Sequence, residues 1–333
     1  KNGKSPGSDG LTVEFYKFFW KDIKDLVLNS LNYAYHSGEL SIEQKRGVIT
    51  LVPKKGCVKS KLKNWRPITL LNTDYKIAAK VLASRLKRVI SKIVNSDQVG
   101  YIPNRYIGEN VRITADILNY TRLKRIPGIL LLLDFEKAFD TVKWNFIFKA
   151  LEKFNFGNSF IKWTKTLYKN IQTAVINNGH LTEFFSPKRG IRQGCPLSAY
   201  LFIIAAELMA INIRNDSKIK GIRIGEEEIK LSQYADDTTC YLADERSLRL
   251  LLLKLGLFSC CSGLRMNLEK TKAKLLGPLQ LQQNNKYGIE WITDKVTSLG
   301  IIHCESDEDM FTYNFKPRIE NIKNLFNIWI QRD

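Results

Sequence analysis

An α+β fold is predicted from three features of the sequence. Strand-like and helix-like stretches mix without a fixed period, which opposes a Rossmann or barrel repeat, and no internal duplication is visible. The 333 residues, 44% hydrophobic and 11% aromatic, suffice for a sizeable core in two or three subdomains.

The elements follow in order. Val13, Tyr16, Phe19, Trp20, Ile23, Val27, Leu31 and Tyr35 recur at helical spacing, predicting one amphipathic helix that Gly38 ends. "GVITLVPKKG" reads as a short strand running into a basic turn. "NWRPITLLNTD" leads, with Asn72, Thr73 or Asp74 as cap, into a helix whose Ile77, Val81, Leu86, Val89 and Ile93 form the apolar face. "DQVGYIPNRYIGEN" is a Gly- and Pro-punctuated connection before a third helix near 108–124. Five apolar residues, Ile129 to Leu133, predict a strand buried on both faces, followed at once by Asp134, Glu136 and Asp140. A helix through Val142, Phe146, Ala150 and Phe154 precedes a hairpin with its turn at Asn178–Gly179. After "KRGIRQGCPLS" comes a helix with Leu197, Leu201, Ala205, Leu208 and Met209 inward. "IKLSQYADDTTCYLAD" reads as a hairpin bending at Tyr234 to Asp237. A leucine-rich helix over about 246–261, stopped by Gly263, and short strands near 272–276 and 296–302 complete the pattern.

Charge narrows the partner. Lysine and arginine outnumber the acids by 52 − 33 = +19, and the excess runs from Lys1 to Arg332 without a one-sign tail. Such a surface suits a polyanion held in a groove built from several segments. Six cysteines without a C-x-x-C pair and three scattered histidines exclude a zinc site and read as reduced intracellular thiols. No apolar run is long enough to span a bilayer and no signal peptide opens the chain, so a cytoplasmic or nuclear location is expected, with no membrane partner. Neither end looks like a natural terminus, which makes a segment of something larger the expectation.

The acids carry the chemistry. Alone, Asp236 and Asp237 are an ordinary solvated turn. Asp134 also ends a core strand, and beside the hairpin in one sheet it would make a three-carboxylate, oxygen-rich site for Mg²⁺. With a basic protein and a phosphate substrate, the reaction indicated is two-metal phosphoryl transfer.

"LLLDFEKAFD", "GIRQGCPLSAYLF", "YADD", "GLRMNLEKTK" and "SLGI" stand in the order and approximate spacing of reverse transcriptase palm motifs, and the chain resembles that family. The upstream "SPGSDGLTVEFYKFFW", "LVPKKG", "NWRPITLLNTDYKIAAKVLASRL" and "DQVGYIPNRYIGEN" are similar to the non-LTR retrotransposon, or LINE, branch. The resemblance covers residue 4 to the C-terminus. It implies a right-hand polymerase whose antiparallel palm sheet packs on helices. Fingers would take 1–127 and 145–190, palm 128–144 and 191–305, and a partial thumb 306–333.

It implies roles as well. Asp134 and Asp236 would be the main ligands of two Mg²⁺ ions, replaceable by Mn²⁺, with the Phe135 carbonyl assisting and Asp237 less direct. Phe139, five positions after Asp134, matches the steric gate that excludes a 2′-hydroxyl. Gln193 and Gly194 would contact nucleotide and template, and Arg192 primer and template. Arg66, with Lys54 or its neighbour Lys55, matches the fingers residues that hold the triphosphate. Lys270 stands where the family carries a candidate general acid, with Lys272 and Lys274 competing for the role. Leu299 and Gly300 match the primer grip. The implied activity is RNA-directed DNA polymerisation from dNTPs on the element's RNA, primed by DNA at the target site. The setting would be a ribonucleoprotein of nucleus and cytoplasm, with an endonuclease domain elsewhere in the full-length protein. A group II intron maturase is the nearest rival, but it usually has Gly-Gly where this chain has Gly194-Cys195. A silent, domesticated RNA-binding palm is the other.

Overall fold

In the computed structural model, which describes residues 2–54, 56–278 and 286–330, the chain divides into two units built from three segments each. Lys1–Asn95, Lys137–Leu208 and Phe258–Leu264 form the first; Ser96–Glu136, Met209–Leu257 and Arg265–Asp333 form the second.

The first unit holds a mixed four-stranded sheet in the order β2-β1-β4-β5, from Trp65–Leu71, Arg46–Pro53, Gln172–Asn177 and His180–Leu181. β1 runs antiparallel to β2 and parallel to β4. The Asn178–Gly179 hairpin forms as expected, both residues having positive φ (49° and 82°). The first predicted helix is two helices, Val13–Phe18 and Trp20–Ser37. Between them Phe19 (φ −91°, ψ 13°) turns the axis, and its ring packs on Phe15 and Phe18. Gly38 (φ 72°) caps the second helix, as predicted.

The helix Thr73–Lys87 requires a larger correction, because Val81 and Val89 are exposed and the buried face is Tyr75, Ala78, Ala79, Leu82, Ala83 and Leu86. Three alanines let the backbone approach its neighbours closely, and a count of large apolar residues does not register that face. The helix ends near Lys87, and a separate turn, Ile90–Ile93, carries the residues expected to continue it. The helix Asn158–Tyr168 is not announced by the sequence pattern. The helix expected through Val142, Phe146, Ala150 and Phe154 is Trp144–Lys153; Val142 stands before it, in extended backbone that ends a separate short helix, Ala138–Thr141. Ser198–Arg214 begins here with Leu201 to Ala205 all buried, so it is apolar around its circumference rather than on one stripe.

The second unit is organised by a five-stranded sheet in the order β11-β10-β3-β9-β8: Glu290–Ile292, Lys272–Leu276, Gly128–Leu133, Asp237–Leu242 and Leu231–Tyr234. β3 is central, antiparallel to both β9 and β10, and only edge strand β11 runs parallel to its neighbour. Ile129, Leu130 and Leu131 are at most 1% exposed, each worth roughly 2–3 kcal/mol of burial. The helix Ile107–Lys124 joins this sheet through a core of Ile117, Leu130, Ile222, Tyr241, Leu276 and Val296. The Tyr241 hydroxyl is buried there but shared by Thr114 Oγ1 (2.8 Å) and Ser232 Oγ (2.9 Å), and burial pushes it up to about 12. A small hairpin, β6 (Ile222–Ile224) and β7 (Glu227–Ile229), was not foreseen. The strand expected at 296–302 is itself a hairpin, β12 (Val296–Ser298) and β13 (Ile301–His303). Among the described residues no helix is long and apolar enough to cross a membrane. All six cysteines are free.

Candidate active site

The apolar run of β3 ends at Leu133, and the next residue is Asp134. Leu133 lies opposite Thr238 of β9, so the residues that follow Leu133 and precede Thr238, Asp134 and Asp237, leave the paired strands at the same end. β8 and β9 close with Tyr234 opposite Asp237, leaving Ala235 and Asp236 as a two-residue turn. Ala235 takes the positive φ (57°) that such turns need at their first position. Two elements of secondary structure thus carry three acids to one end of the sheet. The strand exit is pinned from behind: Asp134 N–H donates to Thr271 Oγ1 (3.3 Å), Asn267 N–H to the Asp134 carbonyl (2.8 Å), and Glu136 N–H to the Arg265 carbonyl (2.9 Å). Phe135, buried between these contacts, is bridged to Met266.

The acids oppose one another electrostatically. Burial is the first cause of the raised Asp236 carboxyl, with Asp134's charge adding to it. Asp237 is exposed at the start of β9, yet partial desolvation, then Asp236 and Asp134, push it from an ordinary 3.8 to about 6. Asp134 Oδ2 is buried without a hydrogen-bond partner. Among the described residues no group of three or more His, Cys, Asp or Glu lies close enough to hold a metal ion on its own. The donor set still fits a hard divalent cation, which takes one or two carboxylates and completes its shell with water and phosphate oxygens. An orphaned carboxylate oxygen beside a second repelled acid is what such an ion would satisfy.

Of the three candidate lysines, Lys272 pairs with Glu290 (3.0 Å) and Lys274 donates to the Thr293 and Asp294 carbonyls. Lys270 is exposed, with no side-chain hydrogen bond or ion pair among the described residues. It precedes by two positions Lys272, which lies opposite Leu132 of β3. Leu299 (φ 50°) and Gly300 (φ 78°) form the turn of the β12–β13 hairpin, away from any strand pairing.

The remaining candidates lie in the first unit. Arg66 is exposed on β2, opposite Val52. Lys54 turns back on the β1–β2 connection, its amine donating to the Lys63 carbonyl (3.0 Å). Lys55 lies outside the described residues. Phe139 is half-buried and stacks on Phe202, ring centroids 4.5 Å apart. Gln193 donates through Nε2 to Asp140 Oδ1 (3.1 Å), while its carbonyl accepts from Thr69 N–H (2.6 Å). Gly194 (φ 120°) passes so close to β2 that a Cβ would sit 2.4 Å from the Thr69 carbonyl oxygen. This contact by itself demands glycine. Arg192, expected at primer and template, is only 6% exposed. Its guanidinium lies over the Tyr75 ring (5.2 Å) and donates to the Lys45 and Gln172 carbonyls, tying the start of β1 to β4. An arginine in a basic chain looks like a phosphate contact until its neighbours are known.

The chain is similar to several known proteins. The family described as reverse transcriptase (RNA-dependent DNA polymerase) matches residues 52–303. The 149 kDa protein of transposon TX1 from Xenopus laevis is 35% identical over 98% of this chain, which covers 25% of that protein. A retrovirus-related Pol polyprotein from the R2 retrotransposable element of Popillia japonica is 27% identical over 80% of this chain and 36% of its own length. The chain therefore spans about a quarter to a third of these relatives. Among solved structures, apo telomerase from Candida tropicalis, truncated from its C-terminal domain, superposes with a TM-score of 0.55 at 15% identity, covering 83% of this chain and 57% of that one.

Proposed function

Because this chain belongs to the reverse transcriptase (RNA-dependent DNA polymerase) family, of the non-LTR retrotransposon type, and has the right-hand polymerase fold, we propose that it copies its element's RNA into DNA. The observation that supports the reading is the register that ends with Leu133 opposite Thr238, one residue short of Asp134 and Asp237, with Asp236 in the adjoining turn. Asp134 and Asp236 would hold the ions, with the Phe135 carbonyl assisting and Asp237 in a less direct role. Mg²⁺, or Mn²⁺ in its place, lowers the pKa of the attacking hydroxyl and stabilises the leaving oxygen when bound. The chain's own residues do the rest. Arg66 and Lys54 grip the triphosphate, Gln193 and Gly194 seat the nucleotide, Leu299 and Gly300 hold the primer end, and Lys270 delivers a proton to departing pyrophosphate. The burial of Arg192 supports a framework role instead of a template contact.

We assign 1–127 and 145–190 to fingers, 128–144 and 191–305 to palm, and 306 onward to the start of a thumb. The partners are dNTPs, an RNA template and a DNA primer at the target site. Nicking of that site belongs to an endonuclease domain elsewhere in the full protein, and the setting is a ribonucleoprotein of nucleus and cytoplasm.

Extension of a primed RNA template with dNTPs and Mg²⁺ tests the reading. Wild-type protein extends and Asp236→Ala does not; binding of RNA without extension, unchanged by Asp236→Ala, would establish a silent scaffold instead. The gate yields a sharper result. Phe139→Ala raises incorporation of rNTPs relative to dNTPs by on the order of tenfold or more, the size of a steric filter at one pocket wall. It also lowers the melting temperature, because Phe202 loses its stacked ring. An unchanged rNTP:dNTP ratio with a lowered melting temperature would make Phe139 a packing residue only. With a net charge of +19, affinity for the primed template falls steeply with salt, by roughly 10³-fold between 50 and 200 mM if about six phosphates are neutralised. A flat salt titration would remove the electrostatic groove.

A further inference from the structure

The acidic turn is an unfavourable structure taken alone. Ala235 sits in the left-handed region (φ 57°), which a residue with a Cβ disfavours, and the two acids that follow it are raised by burial and by charge repulsion. The stretch "DQVG", residues 97–100, offsets this from outside the hairpin. It lies along the free edge of β8: Gln233 N–H donates to the Asp97 carbonyl (2.7 Å) and Val99 N–H to the Gln233 carbonyl (2.9 Å). The Gln98 side chain, 1% exposed, then reaches around the turn. Its Oε1 accepts from Ala235 N–H (2.9 Å) and Gly100 N–H (2.8 Å), and its Nε2 donates to the Ala235 carbonyl (3.2 Å). Both backbone groups of the strained residue are therefore held by one amide. Gly100 gives the approach room, since a Cβ there would lie 2.3 Å from Ala235 N. The stretch is tethered in turn, Asp97 by Arg214 (2.7 Å) and the Gln98 carbonyl by Arg105 (2.5 Å).

We infer that Gln98 is a positioning residue for the polymerase reaction: it fixes the Ala235 peptide groups and thereby the direction in which Asp236 presents its carboxylate. No apolar or charged side chain can do this, because the turn offers one donor and one acceptor a few ångströms apart. A carboxamide matches both. The inference rests on the assignment of Asp236 to the catalytic centre. Gln98 is buried and bonded to the backbone of the turn, so its effect falls on turnover and spares nucleotide binding.

The test uses Gln98→Met, which keeps length and bulk and removes all three hydrogen bonds. Amide hydrogen exchange is followed in the metal-free protein at Ala235 and, as a reference for the folded sheet, at Leu131 of β3. Ala235 exchange accelerates tenfold or more, Leu131 is unchanged, kcat for primer extension falls roughly 10- to 100-fold, as expected for an ångström-scale misplacement, and KM for dNTP is unaltered. Unchanged Ala235 protection, unchanged kcat, or a loss confined to KM overturns the inference. Should Leu131 also exchange faster, Gln98→Asn, which keeps both polar groups one methylene shorter, decides on the same two amides; accelerated Leu131 exchange there too makes Gln98 a stability residue and overturns the inference. Asp236→Ala, run alongside, separates the failures. If it leaves extension intact, the catalytic assignment falls; if it abolishes extension while Gln98→Met does not slow it, only the positioning role falls.

Discussion

Asp236→Asn destroys polymerase activity and stabilises the metal-free protein. The loss of turnover should reach on the order of 10³-fold, about 4 kcal/mol of transition-state stabilisation withdrawn with one carboxylate ligand. Stability moves the other way because the fold holds Asp236 against burial and against the charge of Asp134, and its own charge raises Asp237. Asp237, at about 6 in the fold against an ordinary 3.8, binds a proton there between these values that the unfolded chain has already released. Raising the pH through that window therefore costs the folded state stability, and the cost is fully present above about 6. Without Asp236's charge part of it disappears. Thermal melts in EDTA should show Asp236→Asn above wild type at pH 7.5 and the two converging near pH 4. Added Mg²⁺ should raise the wild type more than the variant. A variant that melts below wild type at both pH values would mean that the acids do not repel as described.

Gly194→Ala lowers stability and disturbs β2 before it affects any ligand. The added methyl must occupy space 2.4 Å from the Thr69 carbonyl oxygen, at a φ of 120° that residues with a Cβ avoid. The close Gln193 carbonyl to Thr69 N–H bond prevents the two segments from separating. The cost is about 2–4 kcal/mol, enough to move the melting temperature down by roughly 5 °C or more. Gly256→Ala is the control: it lies within the helix Glu245–Ser262, has open space where a Cβ would stand, and should gain about 0.5–1 kcal/mol. If Gly194→Ala melts with wild type and only KM for dNTP rises, the glycine serves the nucleotide and not β2.

The parts of the fold that could be read in advance are those where local chemistry and tertiary placement coincide. Ile129 to Leu133 is apolar on both faces because it is buried on both, and the bend at Ala235–Asp236 is announced by small and acidic residues between two β-rich flanks. The helix Thr73–Lys87 misleads because its packing face is made of alanines, so Val81, larger but solvent-facing, dominates the periodicity. Arg192 misleads for a related reason: charge signals exposure on average, whereas this guanidinium is held by backbone carbonyls and an aromatic face that come from distant segments. The ambiguity among Lys270, Lys272 and Lys274 concerns pairing across strands, since the partners of the latter two come from strand β11 and the residues after it. Gln98 carried no signal by itself. Its partner is a backbone 137 positions away, and a lone glutamine in a loop has no pattern to betray that contact.

The pairing of β3 with β9 constrains how this gene segment can change. A strand presents alternate residues to alternate faces, so losing or gaining one residue between Leu133 and Asp134, or between Asp237 and Thr238, exchanges the faces of everything beyond it. Substitutions in Ile129 to Leu133 keep the acids in place so long as bulk is preserved. A single-codon insertion or deletion does not, however mild the residue.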